Sequence, residues 1–149
     1  MKLNFWLCLM LIAYAYFGYA IYLWFYARLH KRPVLQKPVT PSVSIVIAAH
    51  NEEKNLPAKL ENLHSLDYPV DLIQIVIASD GSTDRTPKIL REQGSPVIPV
   101  ILDTAHGKAS ALNEAVKHAT GDVLIFLEPR QLLAPNAIFE LVACFAAPE

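Results

Sequence analysis

A chain of 149 residues has room for about one domain. With 53% hydrophobic and 18% charged residues it is not a disordered polyelectrolyte, a class whose apolar content is too low to drive collapse. A formal net charge of -1 supplies no clustered basic face for nucleic acid, and the two cysteines, Cys8 and Cys144, form neither a disulfide framework nor a metal-ligand spacing.

The apolar excess is concentrated at the start. Residues 3–27 are twenty-five positions without a formal charge, whereas about twenty helical residues already cross a hydrocarbon core of roughly 30 Å. A transmembrane helix is expected over residues 1–30. A cleavable signal peptide competes with it, since Ala13-Tyr14-Ala15 and Gly18-Tyr19-Ala20 have the small residues of a processing site. Apolar residues continue past both, however, beyond the roughly 7–15 residues of a signal core. Trp6 at one end and Trp24, Phe25 and Tyr26 at the other suit the headgroup region. Lys2 stands alone before the span, while Arg28, Lys31 and Arg32 follow it. Positive charge is retained on the cytoplasmic side, so a single-pass membrane protein with a cytoplasmic globular domain is expected.

Residues 31–41 bring Pro33, Pro38 and Pro41 together with Lys and Gln, which favours extended backbone and predicts a short, stiff linker. The globular part is expected over residues 42–149. Residues 43–49 form a β-branched, apolar run of strand length, and residues 53–66 suit a helix with Leu56, Leu60 and Leu63 on one face and Pro57 in its first turn. A second strand is expected at 72–78. A helix at 84–93 follows, with Asp84 as N-cap, Pro87 in the first turn and Gly94 closing it. Strands at 97–102 and 123–127 flank a helix at 108–119 for which Gly121 is the expected C-cap, and a last helix is expected at 135–146. Alternating apolar strands and amphipathic helices imply an α/β fold, a mostly parallel sheet with helices on both faces.

In such sheets ligands bind beyond the carboxyl ends of the strands. Polar clusters fall at all four of those ends: His50-Asn51-Glu52, residues 79–84, residues 104–108 and residues 128–131. The glycines at 18, 81, 94, 107 and 121 never give GxGxxG, and Gly107-Lys108 is followed by Ala109 without the earlier glycine of a Walker A loop, so dinucleotide and P-loop sites are disfavoured. Taken alone, Ser79-Asp80-Gly81-Ser82-Thr83-Asp84 is equally a strand-to-helix turn, and Lys108 a surface lysine at a helix start.

Together, Ser44-Ile45-Val46-Ile47-Ala48-Ala49-His50-Asn51-Glu52-Glu53, the Ser79 to Asp84 element and Gly107-Lys108-Ala109-Ser110-Ala111-Leu112-Asn113-Glu114-Ala115 resemble, in order, the opening strand, the "DDGSTD" element and the "GKxxALNxA" stretch of family 2 glycosyltransferases. The resemblance covers residue 41 to about 147. It implies a GT-A (Rossmann-like) fold and binding of a UDP- or GDP-sugar. Asp80 would contact the base or ribose, with Asn51 and Glu52 lining that pocket. Lys108 would reach the diphosphate from a helix N-terminus, where the dipole also favours anions. Asn113 would support the same loop.

Two departures qualify this. Where the family places an Asp-x-Asp that holds a divalent cation, this chain has Glu128-Pro129-Arg130. Oxygen ligands suit Mg²⁺ or Mn²⁺, but Glu128 alone is a weak ligand set, and Arg130 repels a cation or itself neutralises a phosphate. Second, no residue matches the carboxylate base that inverting transfer needs. The chain is therefore expected to be the donor-binding half of an inverting glycosyltransferase, a truncated piece whose acceptor its residues do not identify. The alternative is a catalytically inert nucleotide-sugar-binding or scaffolding module. For the anchor, mass spectrometry of the membrane fraction should find an intact N-terminus; a mature chain starting after Ala15 or Ala20 would identify a cleaved signal instead.

Overall fold

The computed structural model describes residues 2–30 and 38–145, which fall into two compact units. Residues 31–37 of the expected linker, with Lys31, Arg32 and Pro33, lie outside the described residues, as do Ala146, Pro148 and Glu149.

The first unit is one helix, Lys2–Leu29, of 28 residues. It comprises α1 (Lys2–Ala13), a π-helical turn (Tyr14–Gly18) and α2 (Tyr19–Leu29). At 1.5 Å per residue it extends roughly 42 Å. Its length, a mean hydropathy of 1.7 over an 18-residue stretch and its exposed apolar side chains make it a candidate membrane span. Near its C-terminal end the Arg28 guanidinium lies 5.7 Å from the Trp24 ring centroid, and His30 stacks on Tyr26.

The second unit is a four-stranded sheet in the order β3-β2-β1-β4, all neighbours parallel. Its strands are β1 (Val43–Ala49), β2 (Ile73–Asp80), β3 (Val97–Leu102) and β4 (Val123–Leu127). Its helices are α3 (Leu56–His64), α4 (Thr86–Arg91), α5 (Lys108–Val116) and α6 (Ala137–Val142), the last continuing into a 3-10 turn, Ala143–Phe145.

Alternation along β1 divides the core. Val43, Ile45, Ile47 and Ala49 face Leu56, Leu60 and Leu63 of α3, Leu90 of α4, and Ile138 and Val142 of α6. Val46 faces the other way and packs with Val76, Ala78 and the α5 residues Ala111 and Ala115. Such full burial contributes roughly 1.5–3 kcal/mol for each Val, Leu or Ile side chain. Right-handed crossovers explain the division. The chain moves one way across the sheet from β1 to β3, with α3 and α4 on one face, then returns past β1 to β4, which puts α5 on the opposite face. At the β4 edge, Leu124 and Phe126 remain exposed.

Three strands begin and end where the sequence indicates; the other boundaries differ for local reasons. The first helix of the sheet unit starts at Leu56, not 53, because residues 52–55 form a turn in which the Asn55 and Leu56 amides both donate to the Glu52 carbonyl. Pro57 then falls in the first turn, where no N–H is needed. The second strand runs on to Asp80, so that carboxylate belongs to the strand itself. Asp84 stands two residues before α4, accepting the Thr86 amide at 2.9 Å.

Gly121 is not a C-cap, since α5 ends at Val116. Its backbone instead presses on β1: the Gly121 amide donates to Ser44 Oγ at 2.8 Å, and a Cβ there would lie 2.5 Å from the Ser44 nitrogen. Gly121→Ala should accordingly destabilise the domain by roughly 1–3 kcal/mol through overpacking, measurable as a lower urea midpoint with unchanged slope.

Candidate functional site

Strand order reverses at β1, which hands the chain to β2 on one side and receives β4 on the other. The carboxyl edge of a parallel sheet opens into a crevice at such a point. An open cleft lies there, lined by Ala48, Ala49, His50 and Glu52 after β1, by Asp80 at the end of β2, and by Lys108, Glu128, Pro129 and Arg130.

The cleft wall is built by stitching loops together. Asn51 adopts a left-handed backbone (φ 54), which asparagine tolerates. Its Oδ1 accepts the Thr83 amide at 2.9 Å, while its own amide donates to Ser82 Oγ. The Glu52 amide donates to the Thr86 hydroxyl and the Glu53 amide to Asp84 Oδ2, and the Arg85 amide returns a bond to Glu53 Oε2. His50 Nδ1 lies 2.6 Å from the Asp80 carbonyl and its Nε2 lies 3.3 Å from Asn51 Nδ2. The tautomer with hydrogen on Nδ1 satisfies both contacts.

Asp80, 5% exposed, holds the next loop. Its two carboxylate oxygens accept the backbone amides of His106 at 2.8 Å and Gly107 at 2.9 Å. Gly81 beside it has φ +55, and a Cβ there would lie 2.2 Å from the Ala105 nitrogen, so the loop closes over a residue without a side chain.

Lys108 opens α5 and donates to Glu128 Oε1 at 2.5 Å. Arg130 lies 3.3 Å from Glu52 Oε1, and Glu52 also accepts from Asn55 Nδ2. The Lys108 hydrogen bond and charge, with a smaller contribution from Arg130, hold the Glu128 carboxyl below the ordinary range despite some desolvation. The loop bearing Glu128 and Arg130 is fixed from α3. Lys59 donates to the Gln131 carbonyl at 2.6 Å, and Asn62 exchanges two hydrogen bonds with the Leu133 backbone. Burial pushes the Lys59 ammonium down from its usual pKa.

Of the residues singled out in the sequence, Glu52, Asp80, Lys108, Glu128 and Arg130 line one cleft. Asn51 stands beside it with its amide turned to Thr83, and Asn113 lies on the exposed side of α5, outside the lining. His50, in the polar cluster after β1, lines the same cleft. Lys59 is not indicated by the motifs; its signal is a lysine within the stripe Leu56, Leu60 and Leu63.

A divalent cation fits this donor set poorly. Glu128 is bonded to an ammonium, Asp80 to two amides and Glu52 to Arg130 and Asn55, and no three His, Cys, Asp or Glu side chains converge among the described residues. Hard cations need several such oxygens at once.

The Asp84 carboxylate carries a pH dependence. Burial opposes ionisation of Asp84, but the Thr86 hydroxyl and amide and the Glu53 amide outweigh it and hold the carboxyl below its usual range. The stability that this adds is present above the unfolded carboxyl pKa and is lost as pH falls through the lower folded value. Urea unfolding at stepped pH should show wild type losing more stability than Asp84→Asn below about pH 4.

Comparisons with known proteins agree with this architecture. The profile of glycosyl transferase family 2 matches residues 44–149. The beta-monoglucosyldiacylglycerol synthase of Synechocystis sp. is 34% identical over 113 residues, covering 72% of this chain and 24% of its own length. The undecaprenyl-phosphate 4-deoxy-4-formamido-L-arabinose transferase of Klebsiella pneumoniae is 32% identical over 115 residues, covering 74% of this chain and 35% of its own length. This chain thus spans between 24% and 35% of the length of those curated relatives. Among solved structures, a mannosyltransferase of Pyrobaculum calidifontis in complex with GDP-Man and Mn²⁺ superposes with a TM-score of 0.78 at 30% identity, over 93% of this chain and 43% of that one. On the family match over residues 44–149 and the shared parallel-sheet scaffold, the chain belongs to glycosyl transferase family 2.

Proposed function

We propose that this chain is the donor-binding part of an inverting, membrane-anchored glycosyltransferase, organised as an anchor over residues 1–30, a linker over 31–41 and a nucleotide-sugar domain over 42–149. The observation that carries the reading is the pairing of Lys108 and Arg130 as cations lining a cleft at the carboxyl edge of the sheet. A UDP- or GDP-sugar suits that cleft, its diphosphate between the two cations and its base and ribose toward Asn51, Glu52 and Asp80. The Pyrobaculum neighbour, in complex with GDP-Man, supports a donor of this class. Asn113, on the exposed side of α5 and outside the lining, is assigned no contact with the donor.

In inverting transfer a base removes the proton of the acceptor hydroxyl as that oxygen attacks the sugar and the nucleoside diphosphate departs. The three cleft carboxylates already hold other groups, and the base is not assigned to any of them. The acceptor we favour is a lipid at the cytoplasmic membrane surface. The candidate span and the basic Arg28 at its end support this, as do relatives named for a glucosyl-diacylglycerol and for undecaprenyl-phosphate. A divalent cation, such as the Mn²⁺ of the Pyrobaculum complex, would compete at Glu128 with the Lys108 ammonium bonded to its Oε1. A second reading, a binding module without transfer chemistry, is favoured by Arg130 standing where an acidic ligand is expected.

Lys108→Ala is a cleaner test than Asp80→Ala, which would also strand the His106 and Gly107 amides. Calorimetry with UDP- and GDP-sugars should show Lys108→Ala weakening binding by about tenfold or more, as loss of a charge-assisted phosphate contact predicts. Equal affinity of the two proteins would reject the site. Transfer of labelled sugar to lipid by this chain would reject the second reading.

A further inference from the structure

The ion pairs of the cleft imply how it takes a diphosphate. Lys108 and Glu128 face each other from the start of α5 and the end of β4, and Arg130 reaches across to Glu52. Both cations are more than half exposed, at 59% and 74%, so water screens these pairs and they exchange readily. A diphosphate offers more negative charge than a carboxylate, and phosphate oxygens match the guanidinium fork. Glu128, 54% exposed, can turn to water when Lys108 leaves it, and Glu52 keeps its bond to Asn55. A dication in the same place would instead meet an ammonium and a guanidinium, with no carboxylate of the cleft unengaged.

We propose that this site binds the diphosphate of its ligand without a divalent cation, Lys108 and Arg130 exchanging their partners Glu128 and Glu52 for phosphate oxygens. The proposal rests on the nucleotide-sugar reading above and adds to it how the diphosphate charge is neutralised. In this scheme Glu128 competes with the ligand for Lys108, the opposite of a metal ligand, whose removal would weaken binding.

The test is calorimetry on the full chain in detergent, titrated with GDP and with UDP, first in EDTA and then with added Mn²⁺. At least one nucleotide should bind in EDTA, with Mn²⁺ changing its affinity by less than about tenfold. Glu128→Gln should tighten binding in EDTA. Arg130→Asp, at a side chain 74% exposed and so tolerant of change, should lose binding in EDTA and regain it with Mn²⁺; matched melting curves check that both variants fold. Wild-type binding only with Mn²⁺, a Mn²⁺ gain of about tenfold or more, or weaker binding by Glu128→Gln in EDTA would overturn this proposal and leave the nucleotide reading standing. Failure of wild type to bind either nucleotide with or without Mn²⁺ would remove both.

Discussion

At the end of β2 a carboxylate is withdrawn from water and must be satisfied by protein. Asp80 points to the α5 face of the sheet, the same side as Val76 and Ala78, and meets the loop entering that helix. Its oxygens accept the His106 and Gly107 amides, and its carbonyl lies against His50. One residue therefore joins the loops after β1, β2 and β3. Because Gly107 immediately precedes α5, this clamp also sets where the helix begins and where the Lys108 ammonium emerges. A buried acceptor left without donors would be costly, so the loop has little freedom to leave.

The other wall has its own anchor beneath the surface. Lys59 is wholly buried, and its ammonium is spent on the Gln131 carbonyl, while Asn62 holds Leu133 in both directions. Glu128 and Arg130 are thereby carried on a loop tied to α3. The cleft combines a backbone fixed by buried hydrogen bonds with charges that remain in water. Fixed backbone gives position, and exposed charges are the ones that can change partner when an anion arrives.

Glycine and asparagine show where reading residues in isolation falls short. Gly121 follows a helical segment and fits a C-cap pattern, yet its role is to let the chain pass against Ser44 of β1, a residue distant in sequence. Asn51 belongs to the polar cluster after β1, but its amide is used to join that loop to Thr83. Asn113, in the family-like stretch with Lys108, falls on the exposed side of α5 outside the cleft lining, because helical geometry turns it away from Ala111 and Ala115. Helix ends shift for similar reasons: the Glu52 carbonyl and the Asp84 carboxylate capture the first amides before regular helix starts.

The order of residues alone establishes the alternation of strand and helix, the parallel sheet, the candidate span and the family. Each of these rests on local periodicity or on short contiguous motifs, and both are properties of neighbouring residues. It also determined that Asp80, Lys108, Glu128 and Arg130 would lie at one edge, since every strand of a parallel sheet ends there. The partners come from the three-dimensional fold: Asp80 on two amides, Lys108 on Glu128, Arg130 on Glu52 and Lys59 on Gln131. All of these contacts join residues twenty or more positions apart, and their distances follow from strand register and crossover hand, which no local pattern encodes.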